Sequence, residues 1–260
     1  MSNDHTDSNF KQIIFVLPRH PYPPYAGQVR LAFNRCEQLK KKGYTVNLFS
    51  ISNKALINVE TEAISKLFDN YHHVKLGIFD SLQSILIATL KRIIVNQPLQ
   101  ANFYGCSLVK DKFVDFINQF SPHTTLIHYY SIRSFFLWGL AWKFGFRTAI
   151  DLVDSSTLNI NRKIQFNKIK SINRIFWESE LIAVRNFEQK LPLNNLINCY
   201  IAVSAIDLTY LNSKNTLKIL SGVGIHPLLT NLPRTDNDTQ KELLFFGSLS
   251  YEPNQSALKW

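Results

Sequence analysis

The sequence predicts an α/β protein: a Rossmann-like, doubly wound parallel sheet covered by helices, followed by the first strand and helix of a second Rossmann-like unit. Three observations predict it. Apolar runs of strand length alternate with longer stretches of helical period along most of the chain. The first fifty residues already read strand, loop, helix, strand. The last twenty, KELLFFGSLSYEPNQSALKW, begin that pattern again: an apolar run at 243–246 stops at Gly247, and a proline-bearing loop leads into a helix-like stretch.

The elements follow in order. QIIFVLP is a buried strand. GQVRLAFNRCEQLKKKG places Val29, Ala32, Cys36 and Leu39 on one stripe, and Gly43 closes the helix. YTVNLFSI is the second strand. NKALINVETEAISKLFDN reads as helix, HHVKLGIF as strand, and SLQSILIATLKRIIV as a strongly apolar helix that could help the protein dock on a membrane but whose expected place is the core. CSLVKDKFVDFINQF is helical, and SPHTTLIHYY carries a strand behind its Ser-Pro. SIRSFFLWGLAWKFG is a helix ending at Gly145, and FRTAIDLVD is a strand. From Ser156 to about Leu191 the period is helical, as one helix or two. NCYIAVS, AIDLTYLNS and TLKILSG give strand, short helix and strand. HPLLTNLPRTDNDTQ is a polar linker. The expected organisation is a flexible tail at 1–9, a main domain at 10–230, a linker at 231–240 and the start of a second domain at 241–260.

Composition narrows the function classes. The 260 residues are 45% hydrophobic and 18% charged, enough for a large core and against wholesale disorder. The polar start MSNDHTDSNF lacks signal-peptide layout, and no apolar run reaches the ~18 residues of a bilayer span. Cys36, Cys106 and Cys199 have neither metal-ligand nor redox spacing, which favours buried thiols and a reducing, cytoplasmic setting. The formal net charge of +10 suits nucleic acid, an anionic membrane or a phosphorylated ligand. No dense basic stripe or nucleic-acid motif is present, so a nucleic-acid partner ranks last. LKKKGY suits the end of a helix and needs no partner.

Doubly wound sheets bind ligands beyond the carboxyl ends of their strands. Gly27 and Arg30 follow the first strand at the start of a helix, where backbone amides suit an anionic or hydroxylated ligand; Gly27 is equally a turn residue. A cation at Arg30 opposes the helix dipole. His128 lies late in TTLIHYY, as a base, a partner for a sugar hydroxyl, or a satisfied core histidine. Asp151 and Asp154 bracket the end of TAIDLVD, and Asp154 doubles as an N-cap for the long helix. Ser204, after YIAV, is a ligand contact or an N-cap. Glu180 and Glu188 are expected on a solvated helix face, paired with nearby arginines and lysines. Neither a dinucleotide fingerprint nor a P-loop is present.

In their order along the chain, RHPYPPYAGQVRLAFNRCEQLKKKGYTVNLFS, NQPLQANFY, TAIDLVDSST, WESELIAVRNFEQKL, CYIAVSAID and LLFFGSLSYEPNQSALKW resemble the landmarks of GT-B glycosyltransferases of family 4. The resemblance covers nearly the whole chain. It implies an amino-terminal acceptor-binding domain and the opening of a donor-binding domain. It implies retaining transfer of a sugar from a nucleotide-sugar donor to the hydroxyl of a glycan or lipid-linked acceptor, for a surface polysaccharide or glycolipid, with no cofactor and no obligatory metal. It assigns Gly27 to the substrate-binding loop, although Ala26 stands where relatives have a second glycine; Arg30 joins that loop's candidates by its place in the first helical turn. It makes His128 the candidate catalytic residue; Asp154 and Ser204 are candidates for acceptor contact by their position after strand ends. Glu180 and Glu188 match no donor-site element, because they fall in the first domain. The donor half is expected to lie beyond residue 260 or on a partner chain, so residues 1–260 alone are expected to show little or no transfer. The basic balance suits peripheral contact with an anionic inner membrane face. The alternative is a non-catalytic module that binds glycan or lipid.

Overall fold

A computed structural model describes residues 10–24, 27–166, 171–191, 197–209, 211 and 217–221. The chain divides into two compact units, Met1–Gly224 and Ile225–Trp260. The expected tail at 1–9, the linker and the second-domain start lie outside the described residues.

The described part is a seven-stranded sheet. Its strands are β1 (Gln12–Leu17), β2 (Thr45–Ser52), β3 (Asn70–Lys75), β4 (Thr125–Tyr130), β5 (Arg147–Val153), β6 (Cys199–Ala202) and β7 (Leu217–Leu220). Every pairing is parallel, in the order β3-β2-β1-β4-β5-β6-β7. Helices α1 (Gly27–Lys41), α2 (Asn58–Leu67), α3 (Ile78–Val95), α4 (Ser107–Ile117), α5 (Phe135–Lys143), α6 (Ser156–Phe166), α7 (Ser171–Lys190) and α8 (Ala205–Thr209) connect them. The expected α/β sheet is therefore present. Several boundaries differ from the sequence reading. The strand expected at 72–79 runs Asn70–Lys75, and Ile78 and Phe79 open α3. The helix expected from Asn53 starts at Asn58, and a 3-10 turn at Ile132–Ser134 precedes α5.

A buried parallel strand must be apolar on both faces. In β1, Ile13, Phe15 and Leu17 join Val29, Ala32 and Cys36 of α1 and Ile64 of α2 in one core. Ile14 and Val16 point the other way and join Val109 and Phe113 of α4 and Leu137 and Trp138 of α5. The period of two thus divides one strand between two cores. Gly43 and Gly145, at φ +82° and +78°, end α1 and α5 in the left-handed conformation that glycine adopts without steric cost.

Helix α3 overturns the expectation that it packs in the core. Only Ser84 and Ala88 are buried. Its large apolar side chains face outward, with Phe79 85% and Ile93 75% exposed. Burying such a side chain is worth about 1.5–3 kcal/mol, and this fold leaves most of that gain unused along α3. The helix stays attached by its polar residues. Lys91 Nζ donates to Asn102 Oδ1 at 3.0 Å, and Arg92 Nη2 donates to the Ser179 hydroxyl and carbonyl oxygens on α7 at 2.6 and 2.9 Å. No helix among the described residues is long and apolar enough to cross a membrane.

Helix α7 overturns a second expectation. Glu180 and Glu188 are 3% and 1% exposed, not solvated. Glu180 Oε1 accepts from Leu99 N–H at 2.9 Å, and its other oxygen lies 3.4 Å from Arg92 Nε. Glu188 accepts from the Ser156 and Thr157 N–H groups at 2.7 and 3.3 Å and from the Ser155 hydroxyl at 2.9 Å. Burial pushes both carboxyls up despite these bonds.

Candidate functional site

The strand order reverses at β1. The chain steps outward from β1 through β2 to β3, then returns to place β4 on the other side of β1. Loops leaving β1 and β4 therefore diverge, and the crevice beyond their carboxyl ends is the topological switch point where open α/β sheets receive ligands.

Several side chains reach that end of the sheet. Arg19 follows β1 by two residues, and Arg133 follows β4 by three. Arg133 is half-buried, with its guanidinium 5.6 Å from the centre of the Phe103 ring. Burial lowers its pKa, Tyr104 opposes that, and the like charge of Arg19 lowers it further. Among the described residues neither arginine has a carboxylate within ion-pair distance. Two uncompensated cations at a switch point favour an anionic ligand.

Polar groups also gather beyond β1, β2 and β3. His20 Nδ1 lies 3.1 Å from Ser52 Oγ, and His20 Nε2 lies 3.2 Å from Glu60 Oε1. Ser50 Oγ lies 2.8 Å from His73 Nδ1 on the neighbouring strand. Along β2 the face shared with α1 is apolar at Val46 and Leu48 and polar at Ser50 and Ser52. The core thus gives way to hydrogen-bonding groups at the strand's carboxyl end.

His128 sits deeper. It is 6% exposed, pairs in register with Phe15 and Ala149, and stacks on Tyr130 with ring centres 4.6 Å apart. Its Nε2 lies 3.8 Å from Asp151 Oδ2, too far for a hydrogen bond, and has no other partner among the described residues. Burial lowers the His128 pKa, leaving the ring neutral near pH 7. Asp151 is the centre of this group. Its Oδ2 pairs with Arg35 of α1, and its Oδ1 accepts from Val153 N–H at 2.8 Å. Burial alone would raise this carboxyl. His128 and the Arg35 guanidinium outweigh burial and hold it below the usual range.

Beyond Asp151 the backbone is strained. Val153 has φ +60°, a genuine outlier for a β-branched residue, and Ser131 after β4 has φ +66°. Asp154 N–H closes the turn on Leu152 O at 2.7 Å, and the β5–β6 register slips between Asp151 and Val153. Ser131 N–H donates to Asp151 O at 2.7 Å, which ties the two strained ends together. Such strain costs about 1–3 kcal/mol and collects at functional sites. Replacing Val153 with glycine relieves it while losing a half-buried side chain. The V153G melting temperature is therefore expected within a few degrees of wild type, where an ordinary core Val→Gly change lowers it far more; thermal unfolding followed by circular dichroism checks this.

The remaining sequence-predicted residues are placed as follows. Gly27 and Arg30 are exposed in the first turn of α1, and a Cβ added at Gly27 would meet no atom within 4 Å. Its importance would therefore come from backbone freedom or approach, since side-chain space is open there. Asp154 follows β5, where burial and the nearby Asp207 carboxylate push its carboxyl up. It does not cap α6. Ser155 does, its hydroxyl accepting from Leu158 N–H at 3.2 Å while Glu188 takes the next amides. Ser204 Oγ accepts from Ile206 N–H at 3.2 Å, so its hydroxyl caps α8. The fold thus brings His128 near Asp151, and leaves Gly27 and Arg30 in the first turn of α1 and Asp154 and Ser204 on the loops after β5 and β6. Two surface grooves, of about 240 and 410 Å³, lie between α3 and α7 and contain none of these six residues. Among the described residues no three His, Cys, Asp or Glu side chains are placed to hold a metal ion.

Sequence reasoning missed Arg19, Arg133, His20 and Arg35. The first three stand within three residues of a strand end, in PRH and SIRS, and that position was the available signal. Arg35 gave none, because its partner lies 116 residues away.

No protein-family profile and no curated protein matches the sequence. Solved structures align with part of it. One is a UDP-glucosyltransferase from Polygonum tinctorium, with TM-score 0.47 and 11% identity over 81% of this chain and 52% of that one. Another is UGT2 of Phytolacca americana bound to UDP-2-fluoro-glucose and pterostilbene, with TM-score 0.47 and 10% identity over 81% and 52%. A third is the N-terminal domain of a Candida albicans trehalose-6-phosphate phosphatase, with TM-score 0.40 and 13% identity over 77% and 42%. This chain spans about half the length of the two glycosyltransferases it is similar to.

Proposed function

We propose that the chain forms the acceptor-binding part of a retaining glycosyltransferase, which moves a sugar from a nucleotide sugar to a hydroxyl of a glycan or lipid-linked acceptor. The observation that carries this reading is the switch-point crevice. Two cations without carboxylate partners, Arg19 and Arg133, stand there beside two strained strand ends. The order of family 4 landmarks in the sequence supplies the chemistry. In that reaction the bond from the anomeric carbon to the donor phosphate breaks and a bond to the acceptor oxygen forms. The nucleoside diphosphate departs, and the hydroxyl proton leaves with it or passes to a base.

Within this reading the arginines hold an anionic group of the acceptor, with Arg30 close by on α1. Gly27 keeps the loop's backbone accessible, and Asp154 and Ser204 offer hydrogen bonds to sugar hydroxyls. A neutral His128, whose Nε2 lies 3.8 Å from Asp151 Oδ2 without a hydrogen bond, is the candidate catalytic side chain, since an unprotonated imidazole can accept a proton.

The test uses the protein expressed from its own gene, incubated with a set of radiolabelled nucleotide sugars and with lipid extract or soluble glycan. With a donor-binding half supplied, label entering either acceptor fraction is the expected result; the acceptor-binding part by itself is expected to give little or none. Arg133→Ala is expected to lower kcat/KM about tenfold or more, mainly through KM for the acceptor, because it removes a charge-assisted contact. No incorporation from any nucleotide sugar with that half supplied overturns the reading.

A further inference from the structure

We propose that α3 is a membrane-docking face, which lays the protein on an anionic lipid surface with the helix in the plane of the interface. The arrangement of α3 is inverted relative to an ordinary surface helix. Successive residues step by about 100° around a helix, so Phe79, Leu82, Ile85, Leu86, Leu90 and Ile93 share one broad face. All six are exposed, and the residues turned to the protein are the small Ser84 and Ala88. The charged side chains of α3 are absent from the outer face. Asp80 accepts from Gly77 N–H, Lys91 bonds Asn102, and Arg92 bonds Ser179 and Glu180. What remains outward is an apolar strip about 21 Å long from Phe79 to Ile93 at the rise of an α-helix, interrupted only by Gln83 and Thr89.

A lipid surface fits this strip better than a protein does. Protein interfaces ring an apolar centre with directional polar partners, and the outer face of α3 offers almost none. The flanking chemistry is that of a headgroup layer. On α7, joined to α3 through Arg92, the exposed Ile175 and Ile182 stand among Arg185 and Lys190, while Arg174 is paired with Glu178. The chain's net charge of +10 complements anionic headgroups. At 18 residues with three charged side chains, α3 does not cross a bilayer, which leaves the interfacial position.

The experiment mixes the protein with vesicles of phosphatidylcholine, with and without phosphatidylglycerol, and floats them on a density gradient. Wild type is expected to float with the phosphatidylglycerol vesicles. The double variant Leu86→Glu, Ile93→Glu is expected to bind about tenfold or more weakly. Its melting temperature should be unchanged, because both positions are exposed. A Phe79→Trp variant reports contact directly: its added emission is expected to shift to the blue and to be quenched by brominated lipid. Absence of flotation overturns the proposal, as does equal flotation of the double variant. A wild-type dimer at sedimentation equilibrium that the double variant dissociates also overturns it, and assigns the face to a second copy of the chain. The assay contains no sugar or nucleotide, so its failure is separate from failure of the transferase reading.

Discussion

Asp151→Ala is expected to destabilise the protein by about 3–5 kcal/mol, because it leaves Arg35 charged, largely buried and without its carboxylate. For a domain of this size that is a fall in melting temperature on the order of 10 °C. The same substitution frees Val153 N–H, which Asp151 Oδ1 accepts at 2.8 Å, so the strained end of β5 loses its support. Asp151→Asn keeps an oxygen for that amide but not the charge, and is expected to fall between alanine and wild type. Replacing both partners, Arg35→Met with Asp151→Leu, is expected to recover most of the loss, since no buried charge then stands alone. Urea denaturation measures all four proteins. The pH dependence follows from the sign of the shift. The folded carboxyl titrates below its unfolded value, so its contribution is complete above the unfolded value of about 3.9 and is lost as pH falls through the folded one. The stability gap between wild type and Asp151→Asn should therefore be flat near neutrality and narrow in acid. A gap that widens in acid would refute this account of Asp151.

Glu188→Ala is the second large effect, at about 3 kcal/mol. The variant leaves the Ser156 and Thr157 amides and the Ser155 hydroxyl without an acceptor at the start of α6, and each unmet buried group costs about 1–3 kcal/mol. A carboxylate at a helix amino terminus also complements the helix dipole. Glu188→Gln keeps one carbonyl acceptor and is expected to lose roughly half as much. Hydrogen exchange distinguishes this local clamp from general packing. In the alanine variant the amides of the first turns of α6 should exchange faster by more than those of β1 or β4. Uniform acceleration across the domain would show that Glu188 acts only through global stability.

These two residues also mark where the sequence was readable. Strands and helices were legible because burial on two faces imposes a period of two, and burial on one face a period near 3.6. Boundaries slipped in NKALI, KLGIF and SIRS, where no clear period marks the change of element. His128 was legible as a candidate by its place late in an apolar strand. Its neighbours were not. Arg35 and Asp151 meet across 116 positions, and Glu188 meets the start of α6 across 32. Periodicity gives the face a residue shares with its own element. It does not say what lies opposite. The same limit explains α3, whose stripe was plain in SLQSILIATLKRIIV while its direction depended on the rest of the fold. Charged residues on a helix are usually solvated, and Glu180 and Glu188 are exceptions because their partners are backbone amides, which no residue pattern reveals.

Helix α7 is pinned twice, by Glu180 at the 3-10 turn beginning at Leu99 and by Glu188 at the start of α6. The two pins are eight residues apart, roughly 12 Å along the axis. A residue inserted or deleted between them would turn one carboxylate about 100° away from its amides while the other stayed in place. Substitution on the outer side of this helix is thus cheap, whereas a change in its length is not. Among descendants of this chain, α7 should drift in composition and keep its residue count between the two glutamates.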